Sequence, residues 1–363
     1  MNGNRTVTYT ENDREIVRQG IEAIKKVLLG DDADRKRRML FCLDWFMDPY
    51  YGQDISHMRE ELDGLLQNII ISKNNETDVK EDAIGLLMDY ETGPYPILEE
   101  HFDEIEDSLK PDVRYIMRSH WIEYAYRCSS NRVYPLSIAE GIQNGDMIAD
   151  NEENMRCVLF WHYCGFAYLS GNVTEEFLGK IYEEYFCKET KRRFVMITDD
   201  EKVIRYFEGK PGLLMDQRKE YSFDRANKIS GRDLKTDLRI ERIDASNRKA
   251  IQGRIVPSFS WDSDEAFLKG GFGYIAMDGE KFAAIAFSAA VSSEEVDIGV
   301  ETAEDYRNRG LAKILAGYMI REIVKNGKTP VWAHAAGNIG SMKTALGVGF
   351  KEIHCNTLIR RAE

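Results

Sequence analysis

At 363 residues the chain is longer than one ordinary hydrophobic core fills, so two or three compact units are expected. Hydrophobic residues make up 43% of it and aromatic residues 11%, enough to bury cores and to exclude wholesale disorder. A formal charge of −13 argues against non-specific binding to nucleic acid or to anionic membranes, both of which reward a basic surface.

No stretch approaches the roughly 20 apolar residues of a membrane helix. The N-terminal Met1-Asn2-Gly3-Asn4-Arg5 carries a basic residue with no apolar run behind it, so no secretory signal is read there and a cytoplasmic protein is expected. The six cysteines (Cys42, Cys128, Cys157, Cys164, Cys187 and Cys355) form no CxxC pair and have no histidine at metal-ligand spacing. They read as free thiols, and no metal site is expected.

From Asp13 to about Tyr124 apolar residues recur at three- and four-residue spacing, as in Ile16, Ile21, Ile24, Val27 and Leu28 and then Met39, Leu40, Leu43 and Phe46. That is helix periodicity. Further helices are expected around Met58–Ile71, Val79–Asp89, Pro96–Leu109 and Asp112–Tyr124, separated by turns such as Asn74-Asn75 and Gly93-Pro94. The charged run from Asp31 to Arg38, acids first and bases later, suits a helix start better than a binding patch. Residues 1–124 are therefore expected to form an all-α domain, a bundle or short helical array.

The character changes after Arg132. Val158–Tyr163 and Gly165–Leu169 read as a hairpin, Glu175–Tyr185 as a helix, Phe194–Ile197 as a buried strand and Arg218–Phe223 as an alternating strand. Residues 125–235 thus form a small α/β unit without a glycine-rich phosphate loop, a structural half rather than a chemical one. Residues 236–363 form a third unit. Its expected strands are Leu238–Ile243, Gly273–Met277, Phe282–Ala290, Val296–Glu301 and Thr329–Ala335, and its helices Asp262–Lys269, Leu311–Asn326 and Ile339–Val348. Asp278-Gly279 supplies a hairpin turn, and a meander followed by a crossover helix implies a mixed, partly antiparallel sheet.

The chemistry concentrates where the strand Val296–Glu301 runs through a loop into the helix opened by Gly310. Unpaired backbone N–H groups in a first helical turn, with the positive end of the helix dipole, can cradle a pyrophosphate. Gly310 lets backbone approach closely, Ala312 leaves the next turn open, and Arg307 and Arg309 add positive charge at the rim.

These residues resemble a known family. Glu295 to Leu315, then Pro330–Ala335, and Asn338-Ile339-Gly340-Ser341 closing at Gly349-Phe350, look like the core motifs of the GNAT superfamily of N-acetyltransferases. More narrowly, Trp261–Leu268 leading into Gly271–Tyr274, with Tyr306–Ala312, is similar to a bacterial branch in which a degenerate GNAT-like half precedes the catalytic half. The resemblance is close from Trp261 to Phe350 and loose from Tyr134 to Phe223. It implies an α+β, mixed fold in which the helical domain is followed by tandem GNAT-like units.

The resemblance further implies acetyl-CoA as donor, its pyrophosphate on the backbone of Arg307, Asn308, Arg309, Gly310, Leu311 and Ala312 with Lys313 close by. Its pantetheine arm would pair with Val300, Glu301 and Thr302. Asn338 is the candidate to hydrogen-bond that arm near the thioester, with Ser341 one turn further on as a contact, packing or capping residue. The tyrosine that many members use to protonate the leaving thiolate is replaced by Ala345, so water, another residue or the acidity of the thiol itself must serve. Glu301 is the first candidate base, acting directly or through water, and Asp297 on the same strand face the second. His334 is the histidine placed to titrate near neutral pH.

The function these residues imply is transfer of an acetyl group to a primary amine of a small molecule or peptide by direct attack on the thioester, the acidic composition leaning towards cationic acceptors. The alternative is a catalytically silent acyl-CoA sensor or scaffold whose helical region docks a protein partner.

Overall fold

Thr10 opens the first helix with a capping box, its side chain accepting from the Asp13 N–H while the Asp13 carboxylate accepts from the Thr10 N–H. Helices α1 (Glu11–Arg18), α2 (Ile21–Leu28), α3 (Ala33–Met47), α4 (Arg59–Ile71), α5 (Thr77–Tyr90), α6 (Pro96–Glu100) and α7 (Lys110–Tyr126) follow in order. Asp32 caps α3 by accepting from the Arg35 N–H, so the charged run is a helix start, and Arg37 pairs with Asp78 and Asp82 at 3.3 and 2.7 Å. The helix expected from Pro96 to Leu109 stops at Glu100, because His101 leaves helical geometry (φ −108°, ψ 15°) and a 3-10 turn follows at Phe102–Glu104. Ile24, Met39, Leu43, Leu66, Val79, Leu87, Leu98 and Val113 are buried in one core between these helices.

The computed structural model describes residues 8–90, 93, 95–151, 155–224, 226 and 235–362; Met1–Arg5 and Pro94 of the expected turn lie outside the described residues. The chain divides into two compact units, Met1–His120 and Trp121–Glu363, with the boundary inside α7. Among the described residues no helix is long and apolar enough to cross a membrane.

The second unit begins with α8 (Val133–Ala139), every residue of which is buried. The strands β1 (Gly145–Ala149), β2 (Cys157–His162) and β3 (Phe166–Gly171) form a meander, followed by α9 (Glu175–Ile181), β4 (Val195–Thr198), α10 (Glu201–Phe207) and β5 (Leu213–Ser222). The same order then recurs. Strands β6 (Arg239–Arg242), β7 (Gly273–Asp278), β8 (Lys281–Val291) and β9 (Glu295–Thr302), with α11 (Asp264–Gly270) between β6 and β7, lead to α12 (Leu311–Lys325), β10 (Thr329–Ala335), α13 (Ile339–Val348) and β11 (Lys351–Arg361). In each pass an antiparallel meander is followed by a helix and a strand parallel to the meander's last member, β4 beside β3 and β10 beside β9.

The two passes are not side-by-side sheets. All eleven strands form one sheet in the order β1-β2-β3-β4-β11-β5-β10-β9-β8-β7-β6. The closing strand of each pass lies against the other's parallel strand, β11 against β4 and β5 against β10, and β5 and β11 pair with each other at the centre. Strands from residues 125–235 and 236–363 therefore interleave. One consequence matters for chemistry: β5, from the first pass, runs beside β10, carrying Arg218 opposite Ala335 and Glu220 opposite Ala333.

Candidate functional site

Parallel strands β9 and β10 stay paired over only three positions, Glu295 with Thr329, Val296 with Pro330 and Asp297 with Val331. Beyond Asp297, β9 continues along β8 and β10 continues along β5, so the two part. Val300, Glu301 and Thr302 consequently keep partners on β8 while their other edge faces the gap. Gly299 sits in this stretch because a Cβ there would lie 2.5 Å from Cε1 of the Phe287 ring.

A cavity of about 560 Å³ occupies the gap. Its wall includes Asp297, Val300, Glu301, Arg307, Asn338 and Ser341, together with Tyr134, Phe166, Arg193 and Arg218 from the first pass. The stretch read from sequence as a purely structural half thus furnishes part of the site. The cavity continues past Arg193 and Leu358 into a neighbouring cleft lined by Gln217, Ala336 and Gly337.

The loop after β9 is held by Tyr306, whose hydroxyl donates to Asp278 in the β7–β8 turn at 2.9 Å. Arg309 stacks over the Tyr306 ring at 4.9 Å and donates to the Asp305 carbonyl, and Arg307 donates to the Thr302 carbonyl. Asn308 (φ 63°) and Gly310 (φ 79°) are both left-handed, which asparagine tolerates and glycine adopts without strain. The outcome is a run of five backbone N–H groups, those of Asn308, Arg309, Gly310, Leu311 and Ala312, with no acceptor among the described residues. Alternating left-handed residues ahead of the fifteen-residue α12 form a nest of donors at the positive end of a helix. Lys313 lies across Gly347 of α13, where a Cβ would sit 2.6 Å from its Nζ.

Asn338 and Ser341 do local work as well. The Asn338 Oδ1 caps α13 by accepting from the Ser341 N–H at 3.0 Å, and the Ser341 hydroxyl accepts from the Trp332 indole at 2.9 Å. Ala345 is wholly buried in the core.

The two carboxylates of β9 differ in setting. Glu301 accepts the Ile255 N–H at 3.0 Å and is half-buried. Asp297 is 3% exposed, accepts the Tyr134 hydroxyl at 2.6 Å through Oδ2, and leaves Oδ1 without a hydrogen-bond partner. Burial raises its pKa, against the opposing pull of Arg218 and of the Tyr134 hydrogen bond. Strand alternation puts Trp332 and His334 on the face opposite Val331, the register partner of Asp297. His334 is buried, with Nδ1 donating to the Ala335 carbonyl at 2.8 Å and Nε2 accepting from the Tyr221 hydroxyl at 3.1 Å. Burial lowers its pKa, so the ring is held neutral with both nitrogens engaged.

Three features of this region carry no local sequence signal. Tyr134 reaches Asp297 from α8, a helix without a polar face, and Arg218 and Glu220 arrive on β5. Glu220 is buried, accepts the Asn131 N–H and the Asn356 amide, and burial pushes its pKa up to about 7. The folded state thus binds this proton more tightly than the unfolded chain, so the stabilisation is present below the ordinary value of 4.5 and lost as pH rises to about 7. Glu220→Gln should abolish that loss, gaining on the order of 3 kcal/mol over wild type between pH 4.5 and 8 in urea unfolding. Equal pH dependence of the two proteins would contradict it.

Residues 129–358 match the family model for GNAT acetyltransferase. An uncharacterised N-acetyltransferase of Bacillus subtilis (strain 168), YdfB, is 24% identical over 226 residues, covering 60% of this chain and 85% of that protein. The crystal structure of a GCN5-related N-acetyltransferase-like protein from Streptococcus suis 89/1591 superposes with a TM-score of 0.52 at 20% identity, covering 68% of this chain and 100% of that one, a likeness of fold. The parted strands, the donor nest at the start of α12 and the family match over most of the second unit lead to one conclusion: the chain belongs to the GNAT acetyltransferase family and is an acyltransferase.

Proposed function

We propose that the protein transfers an acetyl group from acetyl-CoA to a primary amine. Enzymes of this family generally use acetyl-CoA and act on small-molecule or peptide acceptors. The observation that carries the reading is the run of five backbone N–H groups without an acceptor among the described residues at the head of α12, which begins next to Arg307 of a cavity wall that also holds the buried, half-partnered carboxylate of Asp297.

In this reading the N–H groups of Asn308 to Ala312, with Arg307, Arg309 and Lys313 nearby, hold the donor's pyrophosphate. The free edge of Val300 to Thr302 pairs with the pantetheine arm, and the Asn338 side-chain amide, its oxygen committed to capping, is left to donate. When bound, acetyl-CoA supplies the activated acetyl thioester. Asp297 takes the proton of the incoming amine, its raised pKa bringing it closer to the operating pH than an exposed aspartate would be. Glu301, on the same strand face and nearer solvent, is the second proton acceptor. His334, with both nitrogens engaged, is not left free to take the amine's proton. Since Ala345 offers no proton, the thiolate leaves on the strength of a thiol pKa near 8.5.

Calorimetric titration with acetyl-CoA and a thiol-release assay against a panel of amines test the reading. Binding with a dissociation constant on the order of micromolar to tens of micromolar, and thiol release that depends on the amine, are expected. No binding at about 1 mM would sink it.

A further inference from the structure

The carboxylates of the cavity have an unusual counterpart. Arg218 is 8% exposed, lines the cavity, and its guanidinium donates no hydrogen bond to any described residue; its Nε is enclosed and unpaired. The group lies over the Phe166 ring at 4.6 Å, while Arg193 stacks between the Phe166 and Phe259 rings at 5.0 and 5.1 Å with its Nε committed to the Cys164 carbonyl. Burying a guanidinium with all its donors unpaired is costly, and an arginine fork matches a carboxylate bidentately. Aromatic faces hold its plane without consuming an N–H.

Its place relative to Asp297 is set by register. Arg218 stands opposite Ala335 and Asp297 opposite Val331, so the two lie on the same face of the sheet, four residues or about 13 Å apart along β10. Between them that face carries Ala333 on β10 and, opposite it on β5, the buried Glu220. No ion pair joins Arg218 and Asp297 directly, and the Asp297 Oδ1 is as unpartnered as the guanidinium. The cavity wall therefore offers a cation and a carboxylate that feel each other's charge without a direct ion pair.

We infer that the acceptor is a small amino acid, an amine and a carboxylate in one molecule, with its carboxylate on Arg218 and its amine at Asp297. This deepens the acetyltransferase reading and rests on it. A single negative charge on the ligand balances Arg218, as its amine balances Asp297. The inference also runs against the lean of the overall composition, because the −13 is a property of the whole chain whereas the cavity wall carries Arg193, Arg218, Arg254 and Arg307 against Asp297 and Glu301.

The test uses the full chain, acetyl-CoA, and a panel of free α- and ω-amino acids, each paired with its own carboxamide, with kcat/KM read for both members. At least one acid should exceed its amide by about 100-fold. Arg218→Met, which replaces the charge by an apolar chain of similar length, should bring that ratio close to one. Equal rates for acid and amide throughout the panel in the wild type overturn the inference, and this comparison needs no variant to fold. A ratio that survives Arg218→Met overturns it too. Titration of the same preparations with acetyl-CoA separates the levels: donor binding without any carboxylate preference removes this inference alone, whereas no donor binding removes the acetyltransferase reading with it.

Discussion

Asp297→Asn should lower kcat by about 10²- to 10³-fold while acetyl-CoA affinity stays within about threefold of wild type. The side chain keeps its volume and can still accept the Tyr134 hydroxyl, so what is lost is the ability to take a proton. The same substitution should stabilise the fold at neutral pH. Burial raises the Asp297 pKa, so between the ordinary 3.8 and its native value the folded state holds more protons than the unfolded chain, and stability falls as pH rises through that window. Asparagine carries no such dependence. A variant with a higher urea midpoint at pH 7 and a crippled rate is the signature of a carboxylate kept buried for its chemistry. A fall in midpoint together with activity would instead make Asp297 a structural partner of Tyr134.

Gly310→Val should weaken acetyl-CoA binding about 100-fold, close to 2.7 kcal/mol. Gly310 adopts φ 79°, where a β-branched residue is a severe outlier, so the loop must strain or turn back. Turning back redirects the N–H groups of Asn308 to Ala312 that have no internal acceptor, and those groups are the proposed anion cradle. Gly209, at φ 74° before β5 with nothing within 4 Å of a Cβ, is the control. Gly209→Val should cost comparable stability and leave donor affinity unchanged; equal loss of affinity in both variants would mean that the cradle is not at Gly310.

The contrast between these residues shows what a linear reading can reach. The donor loop was legible because its parts are contiguous: a strand, two residues that accept positive φ, and a helix whose first turn must leave N–H groups free. Helices α1 to α5 were legible for a similar local reason, their apolar spacing, and so were β2 and β3 of the first meander and the strands of the second, whereas β1 was missed. α8 was hidden because every side of it is buried, which erases the polar face that marks helix periodicity. β11 was hidden because it is half-exposed for much of its length and its register shifts between Glu352 and His354, which breaks the alternation of side chains.

Composition, periodicity and local turns by themselves determined an all-helical N-terminal stretch, a hairpin with its following helix and strands, one meander with its crossover helix, and an anion-ready helix start at Gly310. The pairing of β5 with β10 and of β11 with β4 depends on contacts between residues more than a hundred positions apart, which no local pattern encodes. That exchange of strands brings Arg218 to the cavity and lets Tyr134 meet Asp297. The acceptor side of the site therefore emerged only on folding, because burial and long-range register, rather than residue type, bring the Arg218 guanidinium and the half-partnered Asp297 carboxylate to one space.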